Sequence, residues 1–331
     1  MLLSPDQTRS LFVHALENRY AVLAVNADSP SAVVDVLEAA RAVDAPVIVE
    51  TSLWQLKGRS YGAGDALLGL SLYRAQLGVL ALHARYKGVP VVLHTDHIKG
   101  PETFPILEAA LGSYSSLSLD SSEMAPRENV AAIGRLCSLA KARGEPLTLE
   151  MEAGVDAGVS PIGDCDALFG AAEREHPGYL ALWAPGVGTQ HGLGADGYPS
   201  FSAAAVSAHQ QRASTLAGRP IGIALHGSSG LPVASLRAAV EAGAAKVNWS
   251  SESLLIRSQA AQRFFSTHAQ ELEKHHKDWT ANAMDNGLQA YVSAEYVPKV
   301  TERIGLLGGA GRGLSFLAST GGDGARADRA P

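Results

Sequence analysis

A parallel (β/α)8 barrel is the fold this sequence predicts, and three observations predict it. Eight short runs rich in Val, Ile, Leu and Ala alternate with longer helical segments along the chain. Those runs are apolar on both faces, as parallel strands covered by helices must be. No Gly-x-Gly-x-x-Gly turn follows the first run, which removes the main signature of an open dinucleotide-binding sheet. A length of 331 residues suits one barrel of this kind.

The elements follow in order. Ser4, Pro5 and Asp6 start a helix with a capping hydroxyl, a first-turn proline and an acid at the positive dipole end. Its apolar stripe (Leu11, Phe12, Ala15, Leu16) places it across the bottom of the barrel. Residues 20–25 form the first strand, and Ser29-Pro30 open a helix to about residue 43. Residues 46–50 are the second strand, ending at Thr51-Ser52; the glycine-containing loop 57–64 then leads into a long helix ending near Tyr86. The third strand, 89–93, precedes a helix over 102–111 and a fourth strand, 115–119, that ends at Asp120. A helix over 126–143, capped within Ser121-Ser122, leads to the fifth strand, 147–151, which ends at Glu152.

Beyond the loop 153–166 and a helix to about residue 175 lies the sixth strand, 179–183. A helix (202–216), the seventh strand (221–225), a helix (233–242), the eighth strand (245–247) and a helix (252–276) complete the alternation. One barrel over residues 1–307, with an extra N-terminal helix and a C-terminal helical extension, accounts for this pattern. From Gly308 the chain becomes a Gly-, Ala- and Arg-rich tail, and its last dozen residues are expected to be disordered.

Composition limits the function. A hydrophobic content of 46% with 18% charged residues describes an ordinary soluble protein with a large core. A formal charge of −6, a pI near 6.0 and the lack of a basic cluster argue against nucleic-acid or membrane partners. Cys137 and Cys165 make no framework, so a reducing, cytoplasmic setting is expected. The first residues lack the charged and apolar segments of a signal peptide, and no apolar run approaches the ~20 residues that span a bilayer.

In such barrels catalytic groups sit on the carboxyl ends of several strands. The strand ends here are Ser52, Asp96 with His97, Asp120, Glu152, His191, His226 and Asn248. Residues far apart in sequence would thus face one mouth. The third strand runs straight into His94-Thr95-Asp96-His97, and glycines flank both His191 and His226. Any one of these histidines alone reads more simply as a satisfied core or surface residue. Three of them at strand ends form the donor set of a catalytic zinc site. His94 reads as support for the pair beside it.

His14, His83, His209, His268, His275 and His276 fall within helical segments and read as solvated faces. Lys246 shares a face with Asn248, and a Schiff-base lysine there is the mechanistic rival; it would leave the histidine set without a purpose. Gly227-Ser228-Ser229-Gly230 and Asn248-Trp249-Ser250-Ser251 each precede a helix, where backbone N–H groups and hydroxyls bind phosphate or simply cap.

These residues resemble the motifs of the class II, metal-dependent fructose-bisphosphate aldolases. The stretch from Val89 to His97 is similar to that family's strand motif. Tyr114-Ser115-Ser116, Asp120-Ser121-Ser122-Glu123 and Glu128-Asn129 resemble the next strand and helix, and Leu149-Glu150-Met151-Glu152 the following strand. Gly188-Thr189-Gln190-His191-Gly192, His226-Gly227-Ser228-Ser229-Gly230 and Lys246-Val247-Asn248 complete an ordered set spanning roughly residues 20–255.

The resemblance implies a TIM barrel, a homodimer or higher homo-oligomer, binding Zn2+ or another divalent metal through His97, His191 and His226. It implies a second or alternative metal position at Asp120 and Glu152, and it admits a monovalent cation. Asp96 matches the proton-shuttling residue and Asn248 the one that orients an enediolate. Ser52, Gly192, Gly227, Ser229, Ser250 and Ser251 match contacts to the ketose or its phosphate. The implied reaction makes or cleaves a C–C bond beside a ketone, with fructose 1,6-bisphosphate the default sugar phosphate.

The chain also departs from the family. Its loop 153–166 has no Glu where the family carries an acid/base, so Asp156, Asp164 and Asp166 stand as the acids there. A family lysine is replaced within Leu193-Gly194-Ala195, Asp-Thr becomes Ser250-Ser251, one loop glycine becomes Ser228, and the arginine-rich run is missing. Each lost charge-assisted phosphate contact costs ~1.5–3 kcal/mol. Two alternatives therefore accompany the default: a relative acting on a different ketose or acceptor, and a non-catalytic aldolase-like subunit.

Overall fold

Runs of largely aliphatic, buried residues form the strands of the computed structural model, the exposed Lys99 of the short fourth strand excepted; the structure describes residues 1–99, 103–154, 156, 158–193 and 201–320. The strands are β1 (Val22–Asn26), β2 (Val47–Thr51), β3 (Val91–Thr95), β4 (Ile98–Lys99), β5 (Leu117–Asp120), β6 (Leu149–Glu152), β7 (Leu180–Ala184), β8 (Gly222–Leu225) and β9 (Ala244–Trp249). All paired neighbours are parallel, in the order β3-β2-β1-β9-β8-β7-β6-β5-β4. The two ends of that order meet. Ser115 N donates to Leu93 O at 2.9 Å, and His94 bridges Ser116, which closes the barrel.

Eight strands were expected and nine are present among the described residues. The additional one, β4, continues the third barrel strand after a break at Asp96-His97. His97 there adopts φ +48°, a left-handed conformation that interrupts a strand and re-aims its side chain. The eight barrel positions are preserved.

Helices cover the outside. They are α1 (Pro5–Glu17), α2 (Pro30–Ala42), α3 (Leu53–Lys57), α4 (Ala66–Leu82), α5 (Phe104–Ala110), α6 (Pro126–Arg143) and α7 (Ile162–Asp164). Then come α8 (Ala171–Glu175), which continues a π-helical turn (Cys165–Gly170), α9 (Ala203–Ala217), α10 (Val233–Glu241), α11 (Ser251–Thr267), α12 (Trp279–Ala283), α13 (Asp285–Leu306) and α14 (Gly313–Ser319). The cap of α1 is as its sequence suggests: Gln7 N donates to Ser4 Oγ at 3.2 Å, and Ser4 N to Gln7 Oε1 at 2.9 Å.

Several boundaries differ from expectation. Helix α4 stops at Leu82, and a turn carries the chain to Tyr86. Helix α6 is capped at Ala125, whose N–H Glu128 accepts at 3.2 Å, because Ser122 instead donates its N–H and hydroxyl to Asp120. The helix expected over 252–276 ends at Thr267, and α5 begins at Phe104, with Glu102 outside the described residues.

Two apolar clusters result. A large one lies between the strands and the outer helices. A smaller one fills the lower barrel, where Val22, Ala24, Ile48, Val92, Leu182, Ala224 and Ala245 meet Leu11, Phe12 and Ala15 of α1 and Phe316 of α14. The tail read from Gly308 onward is therefore helical over Gly313–Ser319; of the dozen residues expected to be disordered, 321–331 lie outside the described residues. No helix among the described residues is long and apolar enough to cross a membrane.

Candidate metal centre

Residues at alternate positions of a strand point the same way, so each strand end delivers one side chain upward into the barrel mouth. There a cavity of about 1040 Å³ opens. Ser52, Asp96, His97, Asp120, Glu152, His191, Gly192, Gly227, Ser229, Asn248, Ser250 and Ser251 all line it. His226 stands buried behind its wall.

Three imidazoles converge. His97 Nε2 lies 2.9 Å from His191 Nε2 and 2.8 Å from His226 Nδ1. The opposite ring nitrogens each meet a carboxylate. Glu152 Oε2 is 2.8 Å from His97 Nδ1, with Asp120 Oδ2 at 3.4 Å; Asp156 Oδ2 is 2.9 Å from His191 Nδ1; Glu150 Oε1 is 2.6 Å from His226 Nε2. Metal-binding histidines are held in this way, donating the outer N–H to a carboxylate so that the inner nitrogen keeps its lone pair. Three imidazoles bordered by carboxylates suit zinc or another borderline divalent cation.

The electrostatics follow from burial and neighbours. Burial alone would lower His97, but Glu152, Asp96 and Asp120 outweigh it and raise its pKa well above the usual imidazole value. Burial pushes His226 and His94 well below that value, with Lys246 adding to the effect. Asp96 receives Asn26 Nδ2 at 3.0 Å and Asn248 Nδ2 at 3.1 Å. Burial would raise it, yet the His97 and Lys246 charges and the Asn26 amide hold it below the ordinary carboxylate range. Burial also opposes ionisation of Asp120, and the bonds from His97 and Ser122 reverse this. For Glu152 burial wins, and its pKa rises.

The Schiff-base rival fails on geometry. Lys246 is fully buried between Glu150, at 2.9 Å, and Glu50, at 3.3 Å. These carboxylates raise its pKa against the opposing effect of burial, and a protonated amine is no nucleophile. His94 is bonded to Ser116 Oγ at 2.7 Å. His209, read as solvated, is buried: it accepts Trp183 Nε1 at 3.2 Å and its other nitrogen meets Ser160 O at 3.0 Å. His275 lies in a turn with φ +77° rather than in a helix.

Of the loop acids, Asp156 alone borders the cavity, and it also accepts the His191 backbone N–H at 2.8 Å. Asp166 instead pairs with Arg212, and Asp164 lies in α7. Residues 194–195, within the segment that replaces the family lysine, lie outside the described residues.

The loop after β8 is tightly built. Gly227 has φ +61°, and a Cβ there would meet Gln190 O at 2.5 Å, so only glycine fits. Ser228 Oγ donates to Asn248 O and accepts from Arg303 at 2.9 Å; Arg303 also donates to Ser228 O at 2.8 Å. Ser229 Oγ accepts the Glu252 N–H at 3.2 Å at the start of α11.

Sequence reasoning did not single out Asn26, Arg303 or a role for Glu150. Asn26 ends β1, so the strand-end rule could have found it. Glu150 was quoted only inside a motif. Arg303 carries no local signal, since it reaches the loop from α13 across 75 residues.

The family model for class II fructose-bisphosphate aldolases matches residues 6–312. The fructose-bisphosphate aldolase of Streptococcus pyogenes serotype M1 is 28% identical over 261 residues, covering 76% of this chain and 80% of that protein. That of Candida albicans is 30% identical over 275 residues, covering 72% and 75%. Among solved structures, fructose-bisphosphate aldolase from Campylobacter jejuni aligns with a TM-score of 0.79 at 20% identity, covering 93% of this chain and 96% of that one. The YdjI aldolase from Escherichia coli K12 aligns with a TM-score of 0.71 at 19% identity, covering 95% and 100%.

Proposed function

Because this chain belongs to the class II fructose-bisphosphate aldolase family, we propose that it is a metal-dependent aldolase acting on a ketose phosphate. One observation carries the metal dependence. Three imidazole nitrogens converge while a carboxylate holds the far side of each ring. In this reading His97, His191 and His226 hold the cation, and Asp120 and Glu152 form its second or alternative position. When bound, a divalent cation supplies Lewis-acid polarisation of the ketone oxygens.

The chain's own groups do the rest. Asp96, ionised and held by two amides, accepts the hydroxyl proton as the C–C bond breaks and the aldehyde leaves. The bonding electron pair stays on the ketone fragment, which takes a proton at carbon from a second acid, and Asp156 is the loop acid that borders the cavity. Asn248 keeps Asp96 oriented and faces the ketose. Gly227, Ser229, Ser250 and Ser251, with Ser52 and Gly192 across the cavity, receive the sugar and its anionic end.

Fructose 1,6-bisphosphate is the family default. A second reading, a ketose with no phosphate at its acceptor end, is favoured by the acidic mouth. Asp28, Asp120, Glu123 and Asp156 line it, and Lys99 is tied to Asp120 at 3.5 Å and Glu123 at 3.0 Å. Arg59 is the other cation among the described lining residues. A cytoplasmic homo-oligomer fits this reading. Leu68, Leu72, Val79 and Leu82 give α4 an exposed apolar strip for a second copy, and light scattering should show more than a monomer.

Elemental analysis of purified protein should find zinc or another divalent ion, and chelation should abolish ketose cleavage until the ion is returned. Protein that is metal-free yet fully active would overturn the metal reading. Metal-loaded protein that neither cleaves any ketose nor exchanges a donor's carbon-bound proton would point to the non-catalytic subunit.

A further inference from the structure

Beneath the three histidines the barrel interior carries charge where an apolar layer is usual. Glu50, His94, Glu150 and Lys246 are all fully buried. Removing such groups from water costs several kcal/mol each, and a well-packed apolar set of similar volume is often as stable or more so. The layer therefore calls for a reason other than stability.

Its connectivity supplies one. Glu150 is the hub: Oε1 lies 2.6 Å from His226 Nε2, while Oε2 lies 2.9 Å from Lys246 Nζ and 3.6 Å from His94 Nε2. Glu50 Oε2 lies 3.3 Å from the other side of Lys246 Nζ and bonds to no histidine among the described residues. Lys246 Nζ and both Glu50 oxygens complete no aligned hydrogen bond. Burial, with Asp96 and Glu150 nearby, drives the Glu50 carboxyl well above the usual range. Lys246 therefore faces Glu150 across 2.9 Å, and the other oxygen of Glu150 touches His226.

We propose that Glu150 and Lys246 are positioning residues for the cation site. Glu150 accepts the His226 Nε2 proton, which fixes the ring tautomer and leaves the Nδ1 electron pair turned toward His97 Nε2 at 2.8 Å. Lys246, 2.9 Å from Glu150 Oε2, holds that carboxyl group in place. A neutral imidazole can carry its proton on either nitrogen, and only one of the two tautomers can donate that electron pair to a cation. Lys246 acts on the centre entirely through Glu150.

The proposal rests on the cation-binding reading above, and one experiment separates the two. Zn2+ affinity is measured by competition with a chromophoric chelator, and the Co2+ absorption spectrum reports geometry. Glu150→Gln and Lys246→Met should weaken Zn2+ binding ~10–100-fold and alter the Co2+ bands. Glu50→Gln should leave both unchanged. Nitrogen-15 NMR of cation-free protein, with His226 assigned by its loss in His226→Gln, should show one Nε2–H tautomer in wild type and a mixture in Lys246→Met. If Lys246→Met does not fold, Lys246→Met/Glu50→Gln, which leaves no second unpaired carboxylate, is used and should show the same loss. Folded variants that keep wild-type affinity and a single tautomer overturn the positioning role. Wild-type protein that binds neither ion overturns the cation reading itself.

Discussion

Asp96 is both buried and held in its ionised form, a combination that ordinary core packing avoids. Two amides, from Asn26 and Asn248, supply the hydrogen bonds that make it tolerable. Such a carboxylate is a base waiting for a proton. Asp96→Asn keeps the shape and removes the basicity, so turnover should fall ~10²–10⁴-fold while Zn2+ binding persists. Steady-state cleavage assays and metal titration check this, and unchanged turnover would remove the role. Asp96, His97, His226 and Asn248 were legible because each lies at or just beyond the end of a strand, while His191 sits further out, in the loop after β7, and was marked by its neighbouring glycine. Asn26 obeys the same rule. The outer partners were less legible: Asp156 stood among three loop acids without its contact to His191, and Glu150 and Arg303 act through side-chain directions and approaches that no local pattern encodes.

At the level of elements the alternation of strands and helices was readable from hydrophobic pattern, while breaks inside elements were not. A two-residue strand after His97 depends on a single left-handed residue. The end of α4 depends on tertiary contacts of the turn that follows it. There Arg85 and Tyr86 both reach Glu38 of α2, which also bonds Arg41 at 3.1 Å. Burial would raise the Glu38 carboxyl, but the bonds from Arg85, Tyr86 and Arg41 win and bring it down to about 2. The folded pKa lies below the unfolded value near 4.5, so this contribution is fully present above that unfolded value. It is lost as pH falls toward the folded one. Glu38→Gln should therefore cost about 1 kcal/mol or less at pH 7, with a smaller difference from wild type at pH 4. Paired urea melts at the two pH values measure it; a deficit that grows on acidification would refute the assignment.

Across the whole molecule, chemistry and stability occupy opposite ends of the barrel. The mouth holds the polar strand ends, while the first residues and α14 close the bottom. Val91 N donates to Met1 O and Leu3 N to Val91 O, each at 2.8 Å, so the first residues run alongside β3. From the other terminus, Gly313 N donates to Asp44 O at 2.8 Å and sets α14 beneath the strands. Phe316 of that helix is fully buried, edge-on to His14 with ring centroids 5.7 Å apart, within the cluster that fills the lower barrel. A composition rich in Gly, Ala and Arg concealed this helix, because one phenylalanine and one leucine carry its apolar face. Phe316→Ala should cost ~3–5 kcal/mol of unfolding free energy through lost burial and an unfilled cavity. The same variant should bind Zn2+ as wild type does, since Phe316 packs in the lower barrel and does not line the mouth. Denaturant unfolding and metal titration on one preparation test both halves. A stability loss under ~1 kcal/mol would mean that the helix is not part of the core, and weakened Zn2+ binding with the fold intact would mean that the two ends of the barrel are coupled.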